Sequence, residues 1–346
     1  MRKMLTAVLL SLTLAFPVSA SELTAPEVYP SGQELMPGNT ESFGDGLLEL
    51  LQNSIKLLQP DLQEALRTCG IIVFSAMLFS ILPMISQQVE AMSTVAGTVS
   101  ISAMMFQQTN SLILLAKDTV RDILEYGKLL CQVMTAALAA QGGVTESSAL
   151  YLGTTVFLTV LNTLISRFLI PLIFFYLAIA VASGAFGHEF LKKSADMIKN
   201  TMVWLLKTIL IIFTTYMSIT GTVSGSTDLA ALKATKVAIS SVVPVVGGIL
   251  SDSSEAVLVS MGVVKNAAGI YGMLAVLSVF LGPFLEIGIH YLLLKIAAAL
   301  CGVFGDKRIS TLVESFSAAM SLLLAVTAAG CILVMVSTVC FLKGAG

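Results

Sequence analysis

Charge is what this sequence has least of. Asp, Glu, Lys and Arg together make up 12% of its 346 residues, apolar types reach 56%, and mean hydropathy is +0.92. Soluble domains carry about 25% charged residues, so a water-soluble globule is excluded and an integral membrane protein is implied. A net charge of −2 leaves no electrostatic footprint for nucleic acid or for an anionic membrane surface. Histidine is nearly absent, with two in the chain, and no second histidine follows His188-Glu189 at the spacing a metal motif needs. Five cysteines stand singly at Cys69, Cys131, Cys301, Cys331 and Cys340, with no CxxC pair. They read as small buried apolar residues rather than metal ligands or a disulfide framework. A nucleophile elbow, a phosphate loop and paired catalytic carboxylates are all missing, so nothing argues for an enzyme or a cofactor.

What is present begins with Arg2-Lys3, an apolar run over residues 4–16, and Pro17-Val18-Ser19-Ala20. A charged start, a short apolar stretch and a small-x-small site after Ala20 predict a cleavable signal peptide over residues 1–20. The alternative, an uncleaved anchor, suffers from a run that is short for a span. Cleavage places the following segment outside the cytoplasm. Residues 21–44 are polar and rich in Pro, Gly and Ser, which predicts a flexible lead-in. Apolar positions at 47, 48, 51, 55 and 58 make an amphipathic helix, stopped by Pro60. Asp61 and Glu64 then form a capping box for the helix entering the first span. The lead-in with its helix occupies 21–66, and the membrane body 67–346.

Spans are predicted over residues 69–88, 95–116, 201–223, 267–289 and 316–341, with late kinks at Pro83 and at Gly282-Pro283. The span at 95–116 carries Gln107, Gln108 and Asn110, amides suited to helix-to-helix hydrogen bonds or to a polar passage. Residues 117–128 hold Lys117, Asp118, Arg121, Asp122, Glu125 and Lys128 and read as a solvated helical face. Residues 129–140 either span with their neighbours or lie in the interface. From 149 to 186 the only charge is Arg167. That length predicts two spans, 149–166 and 168–186, meeting at a hairpin with Arg167 at the bilayer surface; a buried arginine is the sharper alternative. Lys265-Asn266 interrupts a helix, and 301–310 reads as a loop. The expected fold is all-α, polytopic, with six to eight transmembrane helices. The distribution of Lys and Arg does not fix its orientation.

The stretch with the most specific pattern is 236–256. Its 14-residue apolar run, 237–250, is broken by Pro244 and by Gly247-Gly248 and closes at Asp252 and Glu255. Runs of about 10–14 apolar residues point to re-entrant or buried segments rather than full spans. Irregular backbone survives at membrane depth only where protein or a water-filled cavity satisfies it. The expectation is a re-entrant half-helix, turn and new helix over about 237–256. Pro244, Gly247 and Gly248 shape the turn; Asp252 and Glu255 serve as pore-mouth acids or as helix caps. Further on, Glu286 and His290 lie four apart on one helical face, with Lys295 beyond, and are candidates for a proton relay or for an interfacial cluster.

The segment VVPVVGGILSDSSEAVLVSMGVVKNAAGIYG at 242–272, with Pro283, Gly305-Asp306 and a final apolar helix, resembles stage III sporulation protein AE of endospore-forming bacteria. Pro244, Gly247, Asp252, Glu255, Lys265, Asn266 and Gly269 carry the pattern. The resemblance implies a multi-pass protein of the mother-cell membrane around the forespore. It implies a permease-like core or gate of a channel complex, the feeding tube, needed for late forespore gene expression. The partners it implies are the lipid bilayer, a cytoplasmic ATPase, small membrane subunits, ring-forming proteins and a forespore protein. It implies no catalytic residues. A secondary transporter predicts a second broken helix in the first half, and none is evident there. A non-conducting membrane scaffold is the other alternative.

Overall fold

The computed structural model describes the backbone over residues 25–38, 40, 42–81, 87–242, 247–304 and 307–343. Side chains are described over the same residues except 61, 80–81, 87–94, 221–242, 247–261 and 304. Among the described residues the fold is all-helical. Its elements are α1 (Phe43–Ile81), α2 (Gln87–Ala140), α3 (Val144–Leu164), a π-helical turn (Ile165–Leu169), α4 (Ile170–Phe186), α5 (Glu189–Val242), α6 (Gly247–Phe304) and α7 (Lys307–Lys343). Among the described residues, six helical segments are long and apolar enough to cross a membrane: Leu62–Phe79, Val95–Ala140, Val144–Phe186, Glu189–Thr220, Gly262–Val303 and Lys307–Lys343. That number falls within the six to eight expected. Several helices far exceed one crossing: α2 has 54 residues, roughly 80 Å, against a hydrocarbon core of about 30 Å.

The core forms around α7, which packs against α2, α3, α4, α5 and α6. Its buried positions, among them Leu312, Phe316, Leu323, Ala329, Val334 and Phe341, are too many for one stripe, as expected of a helix enclosed by others. Close approach needs small residues. A Cβ added to Gly127 of α2 would stand 2.7 Å from Cγ2 of Val334. Two turns use glycine for its backbone: Gly142 between α2 and α3 has φ 95°, and Gly187 between α4 and α5 has φ 71°. At the second, the Gly187 amide donates to the Ser183 carbonyl at 2.8 Å, closing the helix end.

Several sequence expectations are corrected here. Pro60 does not stop a helix; it lies inside α1. Its missing amide leaves the Lys56 carbonyl without a helical donor, and the helix is exposed at Lys56, Leu57, Gln59 and Pro60, where solvent can supply one. The proposed capping box at Asp61 and Glu64 is therefore mid-helix. Residues 95–140 form one continuous helix that takes in both the charged stretch at 117–128 and the apolar run at 129–140.

No hairpin occurs at Arg167. The chain runs straight on through the π-helical turn, where the Ile170 amide donates to the Ile165 carbonyl, five residues back. Pro171 has no amide to offer Arg167, and the turn takes up one extra residue instead of reversing the chain. Arg167 is exposed on the bundle surface, midway along the Val144–Phe186 segment. Lys265-Asn266 does not interrupt α6, and of the expected 301–310 loop, residues 301–304 and 307–310 are helical.

The lead-in is not loose over 25–38. Val28 and Leu35 are buried, and a 3-10 turn at Pro30–Gly32 sits on α6. Tyr29 donates to Glu125 Oε2 at 3.0 Å and Ser31 to Asp122 Oδ2 at 3.0 Å, both on α2. Tyr126 donates to the Pro26 carbonyl at 3.2 Å, and the Gly38 amide donates to Glu49 on α1 at 3.1 Å. This strap uses the charged stretch of α2 that sequence alone assigned to solvent.

Residues 1–20, with the expected signal peptide, lie outside the described residues, as do Pro83 and 243–246. The described backbone is helical up to Val242 and again from Gly247, so the centre of the broken stretch, Pro244 included, is not described.

Candidate functional site

Three helices bring polar side chains to one groove, of about 660 Å³. The groove lies within the membrane-length segments of α1, α2 and α6. α1 contributes Glu64 and Thr68, one turn apart; α2 contributes Gln107, Gln108 and Ser111; α6 contributes Glu286 and His290, again one turn apart. Helical spacing of four puts each pair on a single face. Ile71, Ile72, Met104 and Leu112 supply apolar walls. No Lys or Arg is among the lining residues, so its charge balance is acidic.

His290 is the most enclosed polar member, 7% exposed. Its Nδ1 stands 2.9 Å from the backbone carbonyl of Glu286, and its Nε2 stands 2.7 Å from Nε2 of Gln108. Glu286 and His290 do share a face, as their spacing predicts. The imidazole, however, is held by the Glu286 main chain and by an amide of α2. Lys295 is a separate feature: its Nζ pairs with Glu314 of α7 at 3.1 Å, both side chains more than half exposed. Exposed pairs of this kind contribute about 0–1 kcal/mol.

A second polar locus joins α3 to α6. Lys265 and Glu146 are buried at 5% and 2% exposure, and the Glu146 charge reaches Lys265. A buried lysine beside a carboxylate keeps both groups in the charged form only while the pair is intact. Asn266 is exposed. A Cβ on Gly269 would stand 2.6 Å from Cδ2 of Leu342, so this glycine seats the end of α7.

Among the described residues outside the spans, Tyr29 of the strap has its proton affinity moved by its surroundings. Burial pushes the Tyr29 phenol up, and the Glu125 carboxylate that accepts its hydrogen bond adds to this. Of the remaining sequence candidates, Gly247 and Gly248 open α6, and Asp252 and Glu255 fall on helical backbone after them; their side chains are not described. Among the described residues no group of three or more His, Cys, Asp or Glu could hold a metal, and all five cysteines are free thiols.

Sequence reasoning missed three partners. Glu64 was assigned to a helix cap, although a continuous α1 turns it toward α6. Gln108 was noted as a span amide, but nothing in one dimension pairs it with a residue 182 positions away. Glu146 carried no local signal at all, since its burial comes from the helices packed around α3.

A family model described as stage III sporulation protein AE matches residues 36–345. Stage III sporulation protein AE of Bacillus subtilis (strain 168) is 23% identical over 205 residues, which cover 58% of this chain and 51% of that protein. The chain thus matches about half the length of this curated relative. No solved structure matches.

Proposed function

The chain belongs to the stage III sporulation protein AE family, and from that premise we propose that it is a non-enzymatic, permease-like core or gate subunit of the channel complex between mother cell and forespore. One observation supports this reading above others: a polar groove at the level of membrane-length helices. Ionisable residues inside spans are costly and mark pathways or paired sites. The two groove-bearing helices α1 and α2 also carry Gln63, Arg67, Asp118 and Arg121 at the surface.

In this reading the α1–α2–α6 face lines the conduit. The broken stretch around Pro244, Gly247 and Gly248 gates it, with Asp252 and Glu255 near its mouth. The mother-cell membrane around the forespore is its place of action. The cytoplasmic ATPase, small membrane subunits, ring-forming proteins and forespore protein are its partners.

The test is thiol labelling in sporulating cells on a background lacking the five native cysteines. Ser111→Cys and Gln107→Cys should react with a membrane-impermeant maleimide, while Leu152→Cys should not. Gly247→Val combined with Gly248→Val should insert normally and still block sporulation. Protection at 107 and 111, together with normal sporulation of the double valine variant, would overturn the conduit reading in favour of a packed scaffold.

A further inference from the structure

His290 has two ring nitrogens, and both have defined neighbours. Nδ1 faces the Glu286 carbonyl at 2.9 Å, an oxygen that can only accept, so Nδ1 carries a proton and donates it. Nε2 faces Nε2 of Gln108 at 2.7 Å, an amide nitrogen that can only donate, so Nε2 is bare and accepts. With the Gln108 amide in this orientation, the two contacts match a neutral imidazole in its Nδ1–H tautomer. The other neutral tautomer would set a bare Nδ1 against a carbonyl oxygen.

Adding a proton from groove water to Nε2 reverses one contact and leaves the other. An N–H then confronts the Gln108 amide, and rotation of that amide by a half-turn presents Oε1 in place of Nε2. Glutamine is suited to this, since its two ends are nearly the same shape and opposite in hydrogen-bonding sense. The imidazolium would donate from both nitrogens, to α6 main chain and to α2 side chain.

We propose that the groove between α1, α2 and α6 is a proton-binding site, in which His290 takes the proton and Gln108 exchanges donor for acceptor in response. The titratable groups facing this site are Glu64 from α1 and Glu286 from the imidazole's own helix. α2 supplies Gln107, Gln108 and Ser111, none of which titrates, and no cation lines the groove. Those carboxylates are the counter-charge available to an imidazolium. Binding of the proton therefore reorients an amide on α2 through a contact with α6, the two helices that also hold the strap. The site goes beyond the conduit reading and does not require it.

The experiment uses the full chain in lipid nanodiscs with isotope-labelled histidine. Two histidines give two signal sets, and His188→Gln identifies which is His290. The expected result is a ring with Nδ1 protonated and Nε2 bare that passes to a doubly protonated ring as acid is added. Gln108→Met, which can neither donate nor accept there, should weaken proton binding at His290 about fivefold, because hydrogen bonds to a charged group exceed those to a neutral one. The His188 signals, unchanged, report an intact fold. A neutral Nε2–H tautomer in the wild-type chain overturns the proposal, as does a ring that never takes a second proton. An unchanged His290 titration in Gln108→Met overturns the role of Gln108. The thiol-labelling result at 107 and 111 bears on the conduit alone, so the two readings fail separately.

Discussion

Replacing Gly32 with alanine should release the strap that ties α2 to α6. A Cβ at this position would stand 2.6 Å from Oγ of Ser278, 2.8 Å from Cγ2 of Val279 and 2.9 Å from the Val279 backbone nitrogen. None of these atoms yields cheaply. The Ser278 hydroxyl donates to the Ala275 carbonyl at 2.8 Å, valine is stiff at χ1, and the nitrogen belongs to the α6 backbone. Overpacking of this kind costs about 1–3 kcal/mol. Gly32 lacks a positive φ, so alanine also stiffens the released chain and returns about 0.4–1 kcal/mol. Sterics win, with a net loss of about 1–2 kcal/mol, a factor of roughly 5–30 in the ratio of docked to released strap.

The assay is the rate at which Val28→Cys, buried when the strap is docked, reacts with an impermeant maleimide on the cysteine-free background. Gln33→Cys, exposed in the docked strap, serves as the control for chemistry. Adding Gly32→Ala should raise the Val28→Cys rate 5- to 30-fold and leave Gln33→Cys unchanged. Equal Val28→Cys rates with and without Gly32→Ala, at equal insertion, would refute the claim that this glycine is required by contact with α6.

Three other outcomes follow from the same structure. Because the folded Tyr29 phenol is raised above its ordinary value near 10, its contribution to docking is complete below about pH 10 and is lost as pH rises through the raised value. A nitroxide at Gln33→Cys should be immobile at neutral pH and gain mobility only at strongly alkaline pH; Tyr29→Phe should remove that step. Lys265→Met leaves the Glu146 carboxylate buried without its cation, which costs about 3–5 kcal/mol. Thermal unfolding in detergent should show a large loss of Tm for Lys265→Met and recovery of most of it when Glu146→Gln is added; additive losses would mean the two residues do not interact. Gly127→Leu, which drives a side chain into Val334 of α7, should lower Tm by several degrees, whereas Gly70→Leu, with open space around its Cβ position, should not.

The sequence by itself determined that this is a helical membrane protein, because low charge and long apolar runs are properties of composition that no packing can reverse. It also placed Glu286 and His290 on one face, since a spacing of four is fixed by the helical repeat. It could not settle where helices end. Pro60, Lys265-Asn266 and the residues around Arg167 all look like interruptions in one dimension, and each is absorbed into a helix. An exposed carbonyl can find water, a buried lysine can find Glu146, and a π-helical turn can carry the residue before Pro171. Nor could it find the strap, whose polar composition reads as loose chain until Asp122, Glu125 and the small Gly32 are brought to it from two helices. Gln108 meeting His290 was decided only by the tertiary structure, because the pairing of α2 with α6 depends on burial around α7, a sum over many helices rather than a property of either segment.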